Sequence, residues 1–363
     1  MQILLTTPFF HPYVRRGVER YVGELADWLA QRGHEVLLLT TAPDRSYEIT
    51  RPSGARVEYV RAGSGFGRGR LHVDELLATL SPLWRTTRRQ RDFDIIECHH
   101  YPDADGQRLS RNSYSIWLPG VPRRAPLGGR PLNRWAALYA LKGARQLIAL
   151  SDHAKGALSE EFGLTASVLP PGVNTDLYSG ERPPVGEEEM ILCAAAADDP
   201  RKRVGTLVAA FALLHRTRPN VRLVLAPPRP AAAETLVAGL PEGVRRAVTI
   251  LSPDDPATLV ELYQQAQVSV LPSVDEAFGL VIVESLAAGT PVVGARSGAI
   301  PEILGNPAVG RLSDPDDPES LAACLAETLD LSSRPETAEA CRAWARRWDW
   351  DAVGERWLEL HAP

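Results

Sequence analysis

The chain alternates short runs of consecutive apolar residues with longer stretches in which apolar residues return every three or four positions. Runs of the first kind fit buried strands of a parallel sheet, and stretches of the second fit helices with one inward face. Ile3-Leu4-Leu5 opens the chain as a strand over 2–6. A loop with Pro8, His11 and Pro12 follows. From Gly17 the period becomes helical, with Val18, Tyr21, Val22, Leu25 and Leu29 on one face. Gly33 stands where a left-handed C-cap belongs, ahead of a second buried strand at 36–39. Strand, helix and strand in that order predict a right-handed βαβ unit.

The alternation continues. Asp94-Ile95-Ile96 leads a strand ending at His99-His100, and a strand at 146–150 precedes a helix over 152–162. Residues 167–171 run out into Gly172-Val173-Asn174, the expected linker. Beyond it, strands are predicted at 190–194, 221–225, 248–251, 268–271 and 291–293, with a helix over 206–215 whose Leu207, Val208, Phe211 and Leu214 point inward. The expected fold class is α/β: two doubly wound Rossmann-like domains, 1–169 and 170–346, facing a central cleft at the carboxyl ends of their strands, where open α/β sheets bind ligands. Residues 340–360, with Trp344, Trp348, Trp350 and Trp357, read as helical and too apolar for a free tail. Their last part, within 347–363, is expected to pack back on the first domain as a crossover helix. Residues 108–134, rich in Arg, Pro and Gly, read as irregular; they carry Arg123, Arg124 and Leu127-Gly128-Gly129 and make a candidate binding loop.

Composition narrows the class. With 363 residues, 44% hydrophobic and 23% charged, the chain is too long for one typical core and has the make-up of a soluble globular protein. The formal charge of −5 is uneven: residues 1–170 carry +6 and the remainder −11. A basic first half suits an anionic partner or simply carries solvated faces. Arg85, Arg88, Arg89 and Arg91 cluster there and would suit peripheral contact with an anionic membrane, or an anionic small molecule. Cys98, Cys193, Cys324 and Cys341 lie far apart with no CxxC spacing, which argues against zinc or disulfides and fits a reducing cytoplasm. The start of the chain reads as a strand rather than a signal peptide, no apolar run approaches a membrane span, and no nucleic-acid-reading motif is present.

The segment from Leu271 to Glu284 carries the chemistry. A buried strand ends near Ser273, a short loop follows, and a helix starts near Gly279-Leu280. A helix start offers unpaired N–H groups and the positive end of its dipole, a ready diphosphate site. Gly279 lets a phosphate approach the backbone, after Phe278. Glu284 lies one turn beyond Leu280, placed to accept from a ribose diol, and Glu276 in the loop can reach hydroxyls of a sugar on the second phosphate. A second turn, Ser297-Gly298-Ala299-Ile300-Pro301-Glu302, offers a neighbouring helix start with Pro near its first position. One carboxylate per sugar with a helix end between them describes a nucleotide-sugar site; two unrelated glutamates on a capped surface helix is the bland alternative.

These residues resemble the signature of glycosyltransferase family four, retaining enzymes with the GT-B fold: a glutamate, seven residues, a second glutamate, then Gly289-Thr290-Pro291-Val292-Val293 and Gly298-Ala299-Ile300-Pro301-Glu302-Ile303. Pro8 through Gly17-Val18-Glu19, Gly33-His34-Glu35-Val36, Pro171-Gly172-Val173-Asn174, Pro200-Arg201-Lys202, Leu262-Tyr263 and Trp350 extend the resemblance over nearly the whole chain. It implies that Glu276 binds the donor sugar and Glu284 the ribose. It implies that N–H groups of Gly279, Leu280 and Gly17 hold the diphosphate, and that Lys202 neutralises it. Arg16, Arg201, Ser297 and Gly298 complete the implied donor side. No metal or other cofactor is expected, and Asp92-Phe93-Asp94 and Asp103-Ala104-Asp105 read as surface carboxylates. The implied reaction is retaining transfer of a hexose-like sugar to an unidentified lipid, glycan or small metabolite, in which the protein stabilises the leaving diphosphate.

Three departures stand out. Where the family places a cleft histidine, this chain has Pro119; His99, His100 or His11 could substitute, His99 being the catalytic candidate, with His11, His100, Arg123 and Arg124 on the acceptor side. Ala196 stands six positions before Lys202, where the family has an arginine, and Arg201, Arg203 or Arg16 could supply the missing charge. A glycine-rich turn is replaced by Pro227-Pro228-Arg229-Pro230. Pro119 and Ala196 leave open a non-catalytic protein of the same fold that binds a sugar nucleotide or supports a partner. An epimerase or phosphorylase is the third reading, the latter disfavoured because no lysine sits in a pyridoxal-phosphate context.

Overall fold

The computed structural model describes residues 1–14, 17–62, 93–122, 131–180, 182, 188–253 and 255–362. Arg16, Arg123, Arg124, the cluster Arg85, Arg88, Arg89 and Arg91, and the turn Leu127-Gly128-Gly129 lie outside them. The chain forms two compact units, Met1–Gly172 with Trp350–Pro363, and Val173–Asp349.

The first unit runs β1 (Gln2–Thr6), α1 (Gly17–Gln31), β2 (Glu35–Ala42), β3 (Tyr47–Thr50), β4 (Arg56–Arg61), β5 (Ile95–Cys98), α2 (Tyr101–Leu109), β6 (Ser115–Trp117), α3 (Pro131–Gly143), β7 (Gln146–Ala149), α4 (Asp152–Phe162) and β8 (Ser167–Val168). Its sheet has the order β3-β4-β2-β1-β5-β6-β7-β8, parallel throughout except for β3 against β4. Leu4 pairs in register with Leu37 on one side and Ile96 on the other, so the apolar runs of three strands form one buried layer. The inward face of α1 is the one its period predicts: Tyr21, Val22, Leu25 and Leu29 are buried. Ser151 caps α4, accepting from Ala154 N–H at 3.1 Å, and left-handed Gly163 ends it.

The second unit runs α5 (Thr175–Tyr178), β9 (Glu189–Cys193), a 3₁₀ turn Pro200–Lys202, α6 (Val204–His215), β10 (Val221–Leu225), α7 (Ala231–Ala238), α8 (Glu242–Arg245), β11 (Val248–Ile250), α9 (Pro256–Gln265), β12 (Val268–Leu271), α10 (Leu280–Ala287), β13 (Val292–Ala295), α11 (Ile300–Ile303), β14 (Gly310–Ser313), α12 (Pro318–Ser332), α13 (Thr337–Ala345) and a 3₁₀ turn Arg346–Trp348. All its strands are parallel, in the order β11-β10-β9-β12-β13-β14. Residues 350–363 return to the first unit as α14 (Trp350–Leu360).

Three expectations are corrected. Residues 108–134 are not irregular as a whole: α2 runs to Leu109, β6 crosses at 115–117 and α3 begins at Pro131. The period misses α2 because its inward positions are polar; Asp103, Asp105 and Gln107 are buried there. The aspartates at 103 and 105 are therefore interior groups rather than surface carboxylates. Residues 340–360 are not one helix: Asp349, extended at φ −64° and ψ 149°, breaks them, leaving Trp344 and Trp348 in the second unit and Trp350 and Trp357 in the first. Among the described residues no helix is long and apolar enough to cross a membrane.

In the first unit α14 is fastened through a buried carboxylate. Glu97 on β5 is fully buried and accepts the indole N–H of Trp357 at 3.0 Å, with His361 Nε2 and His99 Nε2 each 3.3 Å away. Burial would raise its pKa, but the His361 and His99 hydrogen bonds win and bring it down to about 2. Burial opposes charge on His361, and Glu97 outweighs it, raising the imidazole pKa. Gly354 permits the close packing, since a Cβ there would meet the Trp28 ring at 2.5 Å.

Candidate functional site

Three segments of the second unit converge beyond the carboxyl end of β12. The loop 272–279 leads into α10, the 3₁₀ turn carries Arg201 and Lys202, and the turn after β13 carries Ser297 and Gly298. Bonds from main-chain N–H groups fix their spacing. Val274 N–H donates to the Arg201 carbonyl at 2.8 Å, Asp275 N–H to Ser297 Oγ at 3.2 Å, and Ala299 N–H to the Glu276 carbonyl at 2.9 Å. The loop needs left-handed backbone at Asp275 (φ 56°) and at Gly279 (φ 109°), where glycine alone is unstrained.

Gly298, also left-handed at φ 60°, is required twice over: a Cβ there would stand 2.5 Å from the Glu276 nitrogen. The turn is thereby pressed against the loop that presents Glu276. Lys202 Nζ donates to Glu276 Oε1, both groups being largely buried. Gly279 caps α10 without a side-chain acceptor, so the first N–H groups of that helix remain available to a ligand. Phe278 is buried beside them, and Glu284 is fully buried in the second turn.

The cations differ in freedom. Arg201 is exposed and held by Asp199, Nη2 to Oδ2 at 2.7 Å; burial works against its charge, but the carboxylate prevails and raises its pKa. Asp199 also caps the 3₁₀ turn, accepting Arg201 N–H at 3.0 Å. Arg203 is left-handed (φ 50°) and pairs with Asp316 at 2.6 Å, which directs it to a neighbouring loop. The structure thus brings together Glu276, Lys202, Arg201, Phe278, Gly279, Leu280, Glu284, Ser297 and Gly298. The turn Ile300–Ile303 is one turn long, so what it contributes is Gly298 and its backbone rather than a second full helix dipole.

The first-unit candidates form a separate group. Gly17 is the exposed first residue of α1. His11 is half-buried, its carbonyl accepting the Tyr59 hydroxyl. His100 sits at the N-cap of α2 with its ring edge-on to Phe9 at 6.5 Å. His99 is enclosed: its exposure is 0%, Nδ1 lies 3.1 Å from the Thr6 carbonyl and Nε2 faces Glu97. It serves the interior of the unit, and of the three candidate histidines His11 and His100 are those with exposed surface. Reading the sequence missed Asp199, whose position before Pro200 was a legible cap signal, and the buried partnership of Glu97 with His361, for which spacing gives no sign.

Comparison with known proteins shows the family. The family described as Glycosyltransferase Family 4 matches residues 15–177, and that described as Glycosyl transferases group 1 matches residues 180–348. A D-inositol 3-phosphate glycosyltransferase of Corynebacterium urealyticum is 38% identical, the match covering 95% of this chain and 90% of the relative. The chain belongs to glycosyltransferase family four. A protein of the same description from Xylanimonas cellulosilytica is 28% identical over 95% of this chain and 91% of its own. Among solved structures, sucrose-phosphate synthase of Thermosynechococcus elongatus superposes with a TM-score of 0.82 at 22% identity, covering 99% of this chain and 98% of that one. Anabaena HepE, solved with UDP and glucose, gives 0.73 at 19%, covering 99% and 98%. The fold of this glycosyltransferase is GT-B.

Proposed function

We propose that this glycosyltransferase transfers a hexose-like sugar, with retention, from a nucleoside diphosphate to a phosphorylated small acceptor, without a metal ion. The observation that carries the donor reading is the Lys202–Glu276 pair beside the uncapped start of α10. The N–H groups of Gly279 and Leu280 hold the diphosphate, and Lys202 supplies the compensating charge. Glu276 accepts from sugar hydroxyls, and Glu284 from the ribose. As the bond to the anomeric carbon breaks, negative charge grows on the leaving phosphate, where the helix end and Lys202 are already placed. Preorganised charge of this kind is the largest catalytic contribution available to such a site. Arg201 is assigned the place of the absent arginine at 196.

A lysine and a helix end can hold a diphosphate that other enzymes hold with a cation, which supports metal independence. For the acceptor, the curated relatives are named for D-inositol 3-phosphate, and the +6 balance of residues 1–170 suits a phosphorylated cyclitol. His11, His100, Arg123 and Arg124 are the acceptor-side candidates. Four free thiols suit a cytoplasmic enzyme, and the basic first half suits peripheral contact with anionic lipid. Calorimetric titration with UDP, GDP and dTDP in the presence of chelator tests the donor side. Tight binding of one nucleotide, lost in Glu284→Ala, is expected; binding of none, or only with added metal, overturns it.

A further inference from the structure

The tryptophans of residues 337–348 have no part in the donor chemistry just described, yet they touch both of its scaffolding elements. The indole N–H of Trp344 donates to the carbonyl of Ile303, the last residue of α11, at 2.8 Å. Trp348 meets Phe278 edge-on, centroids 6.2 Å apart, and Phe278 immediately precedes the glycine that caps α10. The two indoles pack against each other at 6.4 Å and 70°, and the Arg347 guanidinium covers Trp344 at 3.9 Å. Helix α13 itself lies along α10. One short stretch of chain therefore holds the ends of α10 and α11 at once.

The same stretch is anchored to the other end of the unit. Val173 N–H donates to the Trp348 carbonyl at 2.7 Å, and Thr175 Oγ1 donates to Asp349 Oδ2 at 2.5 Å. Helix α5, which begins at Thr175, also packs on α10. The segments by which the chain enters and leaves this unit are thus tied together and both rest on the helix proposed to bind the diphosphate.

We infer that Trp344 and Trp348 are positioning residues: they set the separation between the Phe278-Gly279 corner and the Gly298 turn, and so the affinity of the site for a nucleoside diphosphate. This rests on the donor-site reading above. Neither indole is required to touch the ligand; each acts through the backbone it braces. Edge-on aromatic contacts are individually modest, so loss of one loosens the corner without unfolding the unit.

The test compares Trp348→Ala, Trp348→Phe and Trp344→Phe with the unaltered protein, using whichever of UDP, GDP and dTDP that protein binds. Trp348→Ala is expected to weaken nucleotide binding about tenfold and to raise the donor KM with a smaller change in kcat. Amide exchange over 276–282 should quicken, and Trp348→Phe should restore most of the affinity. Trp344→Phe, which removes the hydrogen-bond donor and leaves a smaller ring, should show the same pattern more weakly; it decides the matter if Trp348→Ala does not fold. Unchanged affinity and exchange in folded variants overturn the brace alone. If the unaltered protein binds no nucleotide, the donor-site reading fails and the brace falls with it.

Discussion

The N–H of Ala299 donates to the carbonyl of Glu276 at 2.9 Å, and the residue before Ala299 is a glycine that admits no side chain. The carboxylate assigned to the donor sugar is thus held by its own main chain against the turn after β13. Gly298→Ala places a methyl group against the Glu276 nitrogen at a left-handed backbone position. The expected result is a folded protein with nucleotide affinity reduced at least about tenfold, since the loop must shift to relieve the clash. Calorimetry, with circular dichroism to confirm folding, checks it.

Glu276→Ala and Lys202→Ala should each lower kcat/KM by about an order of magnitude or more, as expected for groups that stabilise a developing charge or orient the sugar. The double variant should fall short of the product of the two, because the residues are hydrogen-bonded to each other. Additive losses would show that the pair does not act as a unit.

Much of the second unit is legible in the sequence because its strands are continuous apolar runs and its turns carry glycine where the backbone demands it. Gly279 and Gly298 advertise their φ values, and the spacing of Glu276 and Glu284 follows from a loop and a helix turn. The first unit hides more. Helix α2 buries aspartates and a glutamine, so hydrophobic periodicity cannot find it, and the enclosure of His99 depends on Trp117 and Tyr21, whose rings lie 6.1 and 5.9 Å away. The break at Asp349 is equally silent, since tryptophans continue on both sides of it.

Stability should rise as pH falls from about 8.5 to 6. Burial outweighs the Thr6 hydrogen bond and the attraction of His99 and raises Asp103 to about 6; burial, then the Asp103 charge, outweighs Arg108 and raises Asp105 to about 8. A carboxyl whose folded pKa exceeds its unfolded value favours the folded state increasingly as it takes up its proton. His361, raised by Glu97, contributes stability below its unfolded pKa that is lost as pH climbs through the folded value, in the same direction. Glu97, depressed to about 2, works in a separate window, losing its contribution only as pH drops below about 4.5. Asp105→Asn should raise Tm at pH 8.5 and flatten the slope above pH 6; an unchanged slope would count against the buried aspartates as its source.

Trp357→Ala removes a fully buried indole and one donor to Glu97, and should destabilise the first unit by about 3–5 kcal/mol. Glu97→Gln should cost less at pH 7 and abolish the acid loss below pH 4.5. Chemical denaturation at the two pH values separates them.

The fastening of Glu97 has a bearing on how the protein is made. Residues 1–172 leave the ribosome first, yet two groups that close on the carboxylate inside their sheet, the Trp357 indole N–H and the His361 imidazole, follow only after residues 173–349. Until then β5 carries a carboxylate with His99 as its only close partner among these. The set of partners around Glu97 is therefore complete only once the whole second unit has been translated.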